Sequence, residues 1–274
     1  MPKAAKAMAA LIALVAIGAV PNAAAAESNS IEPPALVQLK PGSFQYWSAG
    51  EFTRDGKPID APHVTVQIHA PIFMMKHQVS IDDYRRCAAE KACPPLKDEQ
   101  TGADVPVVMV SWYDAHAYAA WLSRKLGAHY RLPTDEEWTY AAGSRAPDEA
   151  PLGDADAVAR WVAQYNRESQ GQPVDPLPQT IGHFGANENG LLDLAGNVWE
   201  WTDSCYTRSV LDADGKPVGE GTVNCGVRIA EGRHRAYITD FIRDARAGGC
   251  GAGIPPSNLG FRLVRENARP WWLF

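Results

Sequence analysis

Thirteen positions, Gly190 to Thr202, concentrate the residues best suited to chemistry: Asp193, Glu200, Trp199, Trp201 and a Gly196-Asn197 turn. Two carboxylates on either side of a turn can offer oxygens to a hard cation while the turn aims carbonyls inward, and Ca2+ accepts about six to eight oxygens in loose geometry. The same spacing lets Asp193 and Glu200 cap neighbouring backbone N–H groups instead. The residues alone leave both readings open.

A second concentration lies toward the C-terminus. Residues 226–274 hold eight Arg against four acidic residues, a local positive charge that suits an anionic or carboxylate-bearing ligand or, structurally, internal Arg–carboxylate pairs. The chain has five Cys. In an oxidising compartment these imply bridges with one thiol left over. Cys87 and Cys93 flank a short segment at a helix end, and Cys205 and Cys225 bracket a polar loop containing Asp214-Gly215, so these are the pairings favoured locally. Cys250 then remains between glycines as a reactive thiol, an intermolecular bridging point or a small buried residue. The seven His show no close ligand pair, and His116 reads as structural because zinc sites need clustered ligands.

Stepping outward to the elements, Ala35 to Trp47 reads as a strand pair around Pro41-Gly42, and His63 to Met75 alternates with Val64, Val66 and Ile68 on one face. Ser80 with Asp83 starts a helix running to about Glu90, ahead of Pro94-Pro95. Val105 to Val110 reads as a short strand. Ser111 with Asp114 is a capping box for an amphipathic helix carrying Ala115, Ala119, Leu122 and Leu126 and closed by Gly127. Thr134 with Glu137 caps a further helix through Ser144. Residues 145–186 are rich in Pro, with a helix expected over Ala155 to Gln164; so long an irregular region suggests a binding surface or a metal-stabilised loop. Val198 to Trp201 alternates as a strand, Arg228 to Arg246 is a mixed run, and Asn258 to Val264 reads as a final strand.

At the N-terminus, Lys3 and Lys6 precede an apolar run from Ala7 to Val20, and Ala24-Ala25-Ala26 offers a cleavage site before Glu27. The run is shorter than the roughly 20 residues a bilayer span needs. Residues 1–26 are therefore expected to be a signal peptide, and 27–274 one exported, periplasmic domain with no membrane anchor. The whole chain carries 26 basic against 32 acidic residues, which argues against a general nucleic-acid binder.

Taken in order, four motifs resemble one family, the formylglycine-generating enzymes or sulfatase-modifying factors. They are Val110-Ser111-Trp112-Tyr113-Asp114-Ala115, Tyr130 to Trp138, Gly190 to Trp201, and Asn258-Leu259-Gly260-Phe261-Arg262. The resemblance implies an α+β fold: a single compact domain with little regular secondary structure, related to C-type lectins. It also implies a Ca2+ held by Asp193 and Glu200 with the carbonyls of Gly196 and Val198, and a second site beginning near Asn166. The founding enzymes oxidise a substrate cysteine with O2 through two cysteines that bind Cu(I), a metal suited to thiolates. The matching positions here lie close to Ala236 and Phe241, and the preceding Gly-Gly-Ser motif is lost.

Formylglycine synthesis is therefore not expected. Exported branches of the family that lack the pair are associated with copper nitrite reductase and with pyoverdine maturation. The first suggests an accessory or maturation factor for a periplasmic redox enzyme. The second suggests a periplasmic oxidase, with His234, Tyr237, Asp240, Arg243 and Cys250 as catalytic candidates and copper on His234 and Cys250. A third reading is a calcium-braced binding module in which Arg233, Arg235, Arg243 and Arg246 grip an acidic partner.

Overall fold

The computed structural model describes residue 1 and residues 31–96, 100–147, 162, 166, 177–244, 249–250 and 258–266. Its strands are β1 (Leu36–Leu39), β2 (Gly42–Trp47), β3 (Glu51–Arg54), β4 (Lys57–Ile59), β5 (His63–Ile68) and β6 (Ile72–Met75). Helices α1 (Ile81–Ala89) and α2 (Trp112–Leu126), strand β7 (Tyr130–Arg131) and helix α3 (Asp135–Ala142) follow. Then come β8 (Trp199–Val210), β9 (Thr222–Glu231), β10 (Ala236–Thr239), β11 (Gly249–Cys250), β12 (Leu259–Gly260) and β13 (Val264–Arg265). They form a sheet ordered β1-β6-β13-β7, a sheet ordered β11-β10-β9-β8-β3-β4 with β12 also on β8, and a ribbon of β2 with β5. This is the sheet-dominated α+β fold that the motifs imply. No helix among the described residues is long and apolar enough to cross a membrane.

The helix starts follow from local side chains. Ser80 accepts from the Asp83 N–H, and both capping boxes are present, Ser111 with Asp114 and Thr134 with Glu137. Each satisfies N–H groups that a helix leaves without partners in its first turn. Gly127 closes α2 in the left-handed region at φ 61°, where a side chain would be strained.

Several strand expectations need correction. β1 and β2 do not pair with each other: β1 pairs with β6 and β2 with β5. His63 to Met75 is two strands broken at His69-Ala70-Pro71, and Val64 is exposed. Val105 to Val110 is no strand, because Pro106 has no N–H to give and Met109 adopts φ 56°. The segment instead exchanges single bonds with the start of α1, Ile81 N–H to Val105 O and Val107 N–H to Val79 O. Asn258 to Val264 splits: β12 lies parallel to Trp199-Glu200 of β8, and β13 crosses to pair with β6 and β7. Gly260 permits the crossing, since a Cβ there would meet the Val107 carbonyl oxygen at 2.4 Å. The helix expected over Ala155 to Gln164 falls, apart from Val162, outside the described residues, as does the N-terminal signal apart from Met1.

One apolar cluster joins Tyr84, Tyr118, Trp121 and Leu122 of the first two helices to Trp201, Ile238 and Phe261, and a second gathers Met74, Trp138, Leu191 and Leu194. Trp201 is fully buried and its indole N–H donates to the Val110 carbonyl at 2.8 Å. A buried indole needs that partner.

Candidate functional site

The Asp193–Glu200 turn is built from backbone in an uncommon conformation, with Asp193, Ala195 and Asn197 at φ 58°, 56° and 63°. Asn197 fastens it by exchanging two bonds with the Gln179 backbone. Both carboxylates are fully buried, and both accept from N–H donors, two at Asp193 and four at Glu200. Asp193 accepts from the Gly182 N–H at 2.5 Å and the Phe184 N–H at 2.8 Å. Glu200 accepts a two-pronged contact from Arg262, Nε to Oε2 at 2.6 Å and Nη2 to Oε1 at 2.8 Å. Trp138 Nε1 at 2.9 Å and Gln78 Nε2 at 2.8 Å complete its partners.

Gln78 Nε2 also reaches the Asp193 carbonyl at 3.3 Å, and the Gly196 carbonyl accepts from the Val198 N–H at 2.8 Å. At Glu200 hydrogens thus stand where a shared cation would need lone pairs, and its charge is met by Arg262. As arranged, these residues do not fit a Ca2+ held jointly by Asp193 and Glu200. Among the described residues no group of three or more His, Cys, Asp or Glu is placed to hold a metal.

The segment from Glu231 to Arg243 sends its side chains to separate places. His234 is buried, with Nδ1 3.0 Å from the Arg235 carbonyl and its ring edge-on to Trp199. Arg235 is buried against Glu231 at 2.6 Å, Asp135 at 3.2 Å and the Trp47 carbonyl at 3.0 Å. Tyr46 donates to the same Asp135, and burial, reinforced by that carboxylate, holds its phenol far above the ordinary range. The Tyr237 hydroxyl accepts from the Gly50 N–H at 2.8 Å. Asp240 accepts from the Tyr113 hydroxyl at 2.8 Å, which raises the Tyr113 pKa.

Arg243 forks onto Asp114 at 2.7 and 2.9 Å and so braces the α2 capping box. The five catalytic candidates therefore do not converge on one point as far as they are described. Arg235 is not open to an acidic partner; Arg233 and Arg243 are exposed, and the Arg243 fork is taken up by Asp114. Arg246 lies outside the described residues, and of Cys250 the backbone alone is described, in register with Tyr237.

What does converge is a cluster at the first turns of α2. The Arg228 guanidinium lies 3.8 Å over the Trp112 ring, and the His116 ring lies 3.7 Å from it. His116 Nε2 meets Asp203 Oδ1 at 3.1 Å. Arg228 Nη1 donates to the Asp203 carbonyl at 2.9 Å and to Cys205 Sγ at 3.2 Å. Tyr113 stands edge-on to Trp112 and is 55% exposed; Phe241 is 67% exposed, and Ala236 is sealed in β10. His116, read from the sequence as structural, has a carboxylate partner 87 residues away. The signal available beforehand was the pair of aromatics, Trp112 and Tyr113, in the exposed opening of a capped helix.

Both disulfides favoured by spacing are formed, Cys87–Cys93 and Cys205–Cys225. The first is buried in the larger apolar cluster; the second ties the β8–β9 hairpin, with Cys225 exposed.

Comparison with known proteins agrees with this geometry. The sulfatase-modifying factor enzyme 1-like domain matches residues 21–267. The inactive C-alpha-formylglycine-generating enzyme 2 of Mus musculus is 33% identical over 178 residues, 61% of this chain and 51% of that protein. The formylglycine-generating enzyme of Mycobacterium tuberculosis is 40% identical over 103 residues, 35% and 32% of the two chains. This chain thus spans about half, or less, of the length of these relatives. PvdO from Pseudomonas aeruginosa superposes with a TM-score of 0.53 at 23% identity, over 85% of this chain and 95% of that one, a likeness of fold. With its ordered motifs, its capped helices and its buried Glu200–Arg262 pair all lying inside the matched span, the chain belongs to the sulfatase-modifying factor family.

Proposed function

We propose that this chain is an exported accessory or maturation factor for a periplasmic redox enzyme of the copper nitrite reductase type, and not a formylglycine generator. One observation carries the reading: of five cysteines, four are joined in two disulfides, so a single thiol is left. A bis-thiolate Cu(I) site needs two. The positions corresponding to the family's copper cysteines lie close to Ala236, which is buried, and Phe241, which is exposed. The name of the mouse relative, which calls it inactive, is in keeping with a branch that has kept the frame and changed the task. Export rests on the N-terminal pattern of Lys3, Lys6 and the Ala7–Val20 run.

Three measurements test it. A cysteine peptide incubated with the purified chain, Cu(I) and O2 should give no aldehyde. In the native host, deletion of the gene should lower the copper content or activity of the co-expressed reductase, and the two proteins should co-purify. Aldehyde formation, or a reductase indifferent to the deletion, would overturn the reading. A retained reaction is the second reading, favoured by the half-exposed His116–Asp203 pair, in which a carboxylate orients an imidazole whose Nδ1 has no described hydrogen bond. A His116→Gln variant that still supports the reductase would count against it.

A further inference from the structure

Among the described sulfurs, that of Cys205 is the one touched by a guanidinium. Arg228 Nη1 stands 3.2 Å from it, and this cation is loosely paired. Its nearest described carboxylate oxygen, Asp203 Oδ1, is 3.9 Å away and already meets His116. Its Nε has no hydrogen-bond partner although buried. The charge therefore remains available to a thiolate forming at Cys205.

The partner sulfur is presented differently. Cys225 is exposed and lies in a bulge: the β8–β9 register runs from Tyr206 opposite Asn224 to Cys205 opposite Arg228, so Cys225, Gly226 and Val227 have no opposite number on β8. Bulges free a residue from its ladder and re-aim it. The Asp240 N–H bonds the Gly226 carbonyl, which brings exposed Phe241 beside this bulge and gives an incoming peptide an apolar lip.

We propose that Cys205–Cys225 is a thiol–disulfide exchange site whose partner is a peptide or protein carrying paired thiols. A partner thiolate attacks Cys225 Sγ. The Cys205–Cys225 bond breaks, its electron pair leaves on Cys205 Sγ beside Arg228, and a mixed disulfide forms on Cys225. The second partner thiolate then attacks the partner's own sulfur in that mixed disulfide. The partner departs as a disulfide, oxidised by two electrons, while Cys205 and Cys225 remain as the reduced pair and take up the two protons given up by the partner thiols. A cation beside the leaving sulfur lowers its pKa and so speeds its departure. Cys87–Cys93 offers no such route, since both residues are buried in an apolar cluster. The chemistry does not depend on which enzyme the chain serves, so failure to co-purify with a reductase leaves it untouched.

The test uses the full oxidised chain and reduced glutathione as the probe, with acid quenching, alkylation and mass spectrometry. Cys205–Cys225 should open at least about tenfold faster than Cys87–Cys93, with the first glutathione on Cys225. Arg228→Gln should slow the opening by about fivefold and Arg228→Lys by less. Asp203→Asn, which removes the carboxylate nearest Arg228, should speed it. Equal rates at the two bridges, a first adduct on Cys205, or an Arg228→Gln protein with native near-ultraviolet circular dichroism and an unchanged rate would overturn the proposal. If Arg228→Gln fails to fold, Asp203→Asn decides, and no acceleration overturns it.

Discussion

Arg262 and Arg228 carry the same side chain into opposite surroundings. Arg262 is fully buried and spends its donors on Glu200 and on the carbonyls of Met75, Lys76 and Leu192. Arg228 lies near the surface, flat on Trp112, with one N–H lacking a partner and no carboxylate in close contact. A guanidinium saturated by fixed acceptors stabilises by position, whereas one left partly unpaired beside a breakable bond can respond to a charge that appears later. The two disulfides repeat the contrast: Cys87–Cys93 is sealed beneath α1, and Cys205–Cys225 lies open on a hairpin.

The strongest way to break this comparison is Arg262→Met. It strands the Glu200 carboxylate in the core, and urea unfolding should show a loss of about 3–5 kcal/mol. A loss no larger than that for Arg228→Gln, expected near 1 kcal/mol from the lost stacking and weak pairing, would erase the distinction. Smaller again is the surface end of the hairpin, where Glu51 accepts from the Tyr206 hydroxyl at 2.6 Å and from Arg208 at 3.0 Å. The Tyr206 bond, with help from Arg208, holds its carboxyl below the ordinary value of 4.5.

A carboxylate with a lowered folded pKa contributes stability that is present above its unfolded pKa and fades as pH falls through the folded one. Glu51→Gln should therefore cost under about 1 kcal/mol at neutral pH and nothing below the folded pKa, by urea titration at several pH values. The smallest effect should come from EGTA. A Ca2+ present at a hundredfold over its Kd would add about 2.7 kcal/mol, yet with Glu200 already held by Arg262, chelation should leave the melting temperature unchanged. A clear drop would show that a cation takes part in the turn after all.

The sequence was most readable where the determinants are close in the chain. Ser80, Ser111 and Thr134 announce their helices because a cap and its target are three residues apart, and Cys87 finds Cys93 across a single turn. Strand partners were hidden, since alternation in β1 or β2 says which face is apolar and nothing about which strand lies alongside. The last strand divided because Asn258 to Arg265 serves two sheets, a demand that no local pattern encodes. At the site, the capping alternative for Asp193 describes what its carboxylate does, while Glu200 binds side chains 62 and 122 residues distant. His116 with Asp203, and Arg228 with Trp112, were likewise beyond reach because each pair comes from different elements.

Glu200 also bears on how the molecule is made. Its partners Gln78, Trp138 and Arg262 come from three widely separated parts of the chain, so the carboxylate cannot be neutralised until long loops have closed. Loop closure comes at an entropic cost before any contact rewards it, and folds dominated by such contacts assemble slowly. During that delay the bare edge of β8 is a template for stray pairing. Assembly of this chain should accordingly be the aggregation-sensitive stage of its life, and once Arg262 has docked, separation of the two sheets should be correspondingly rare.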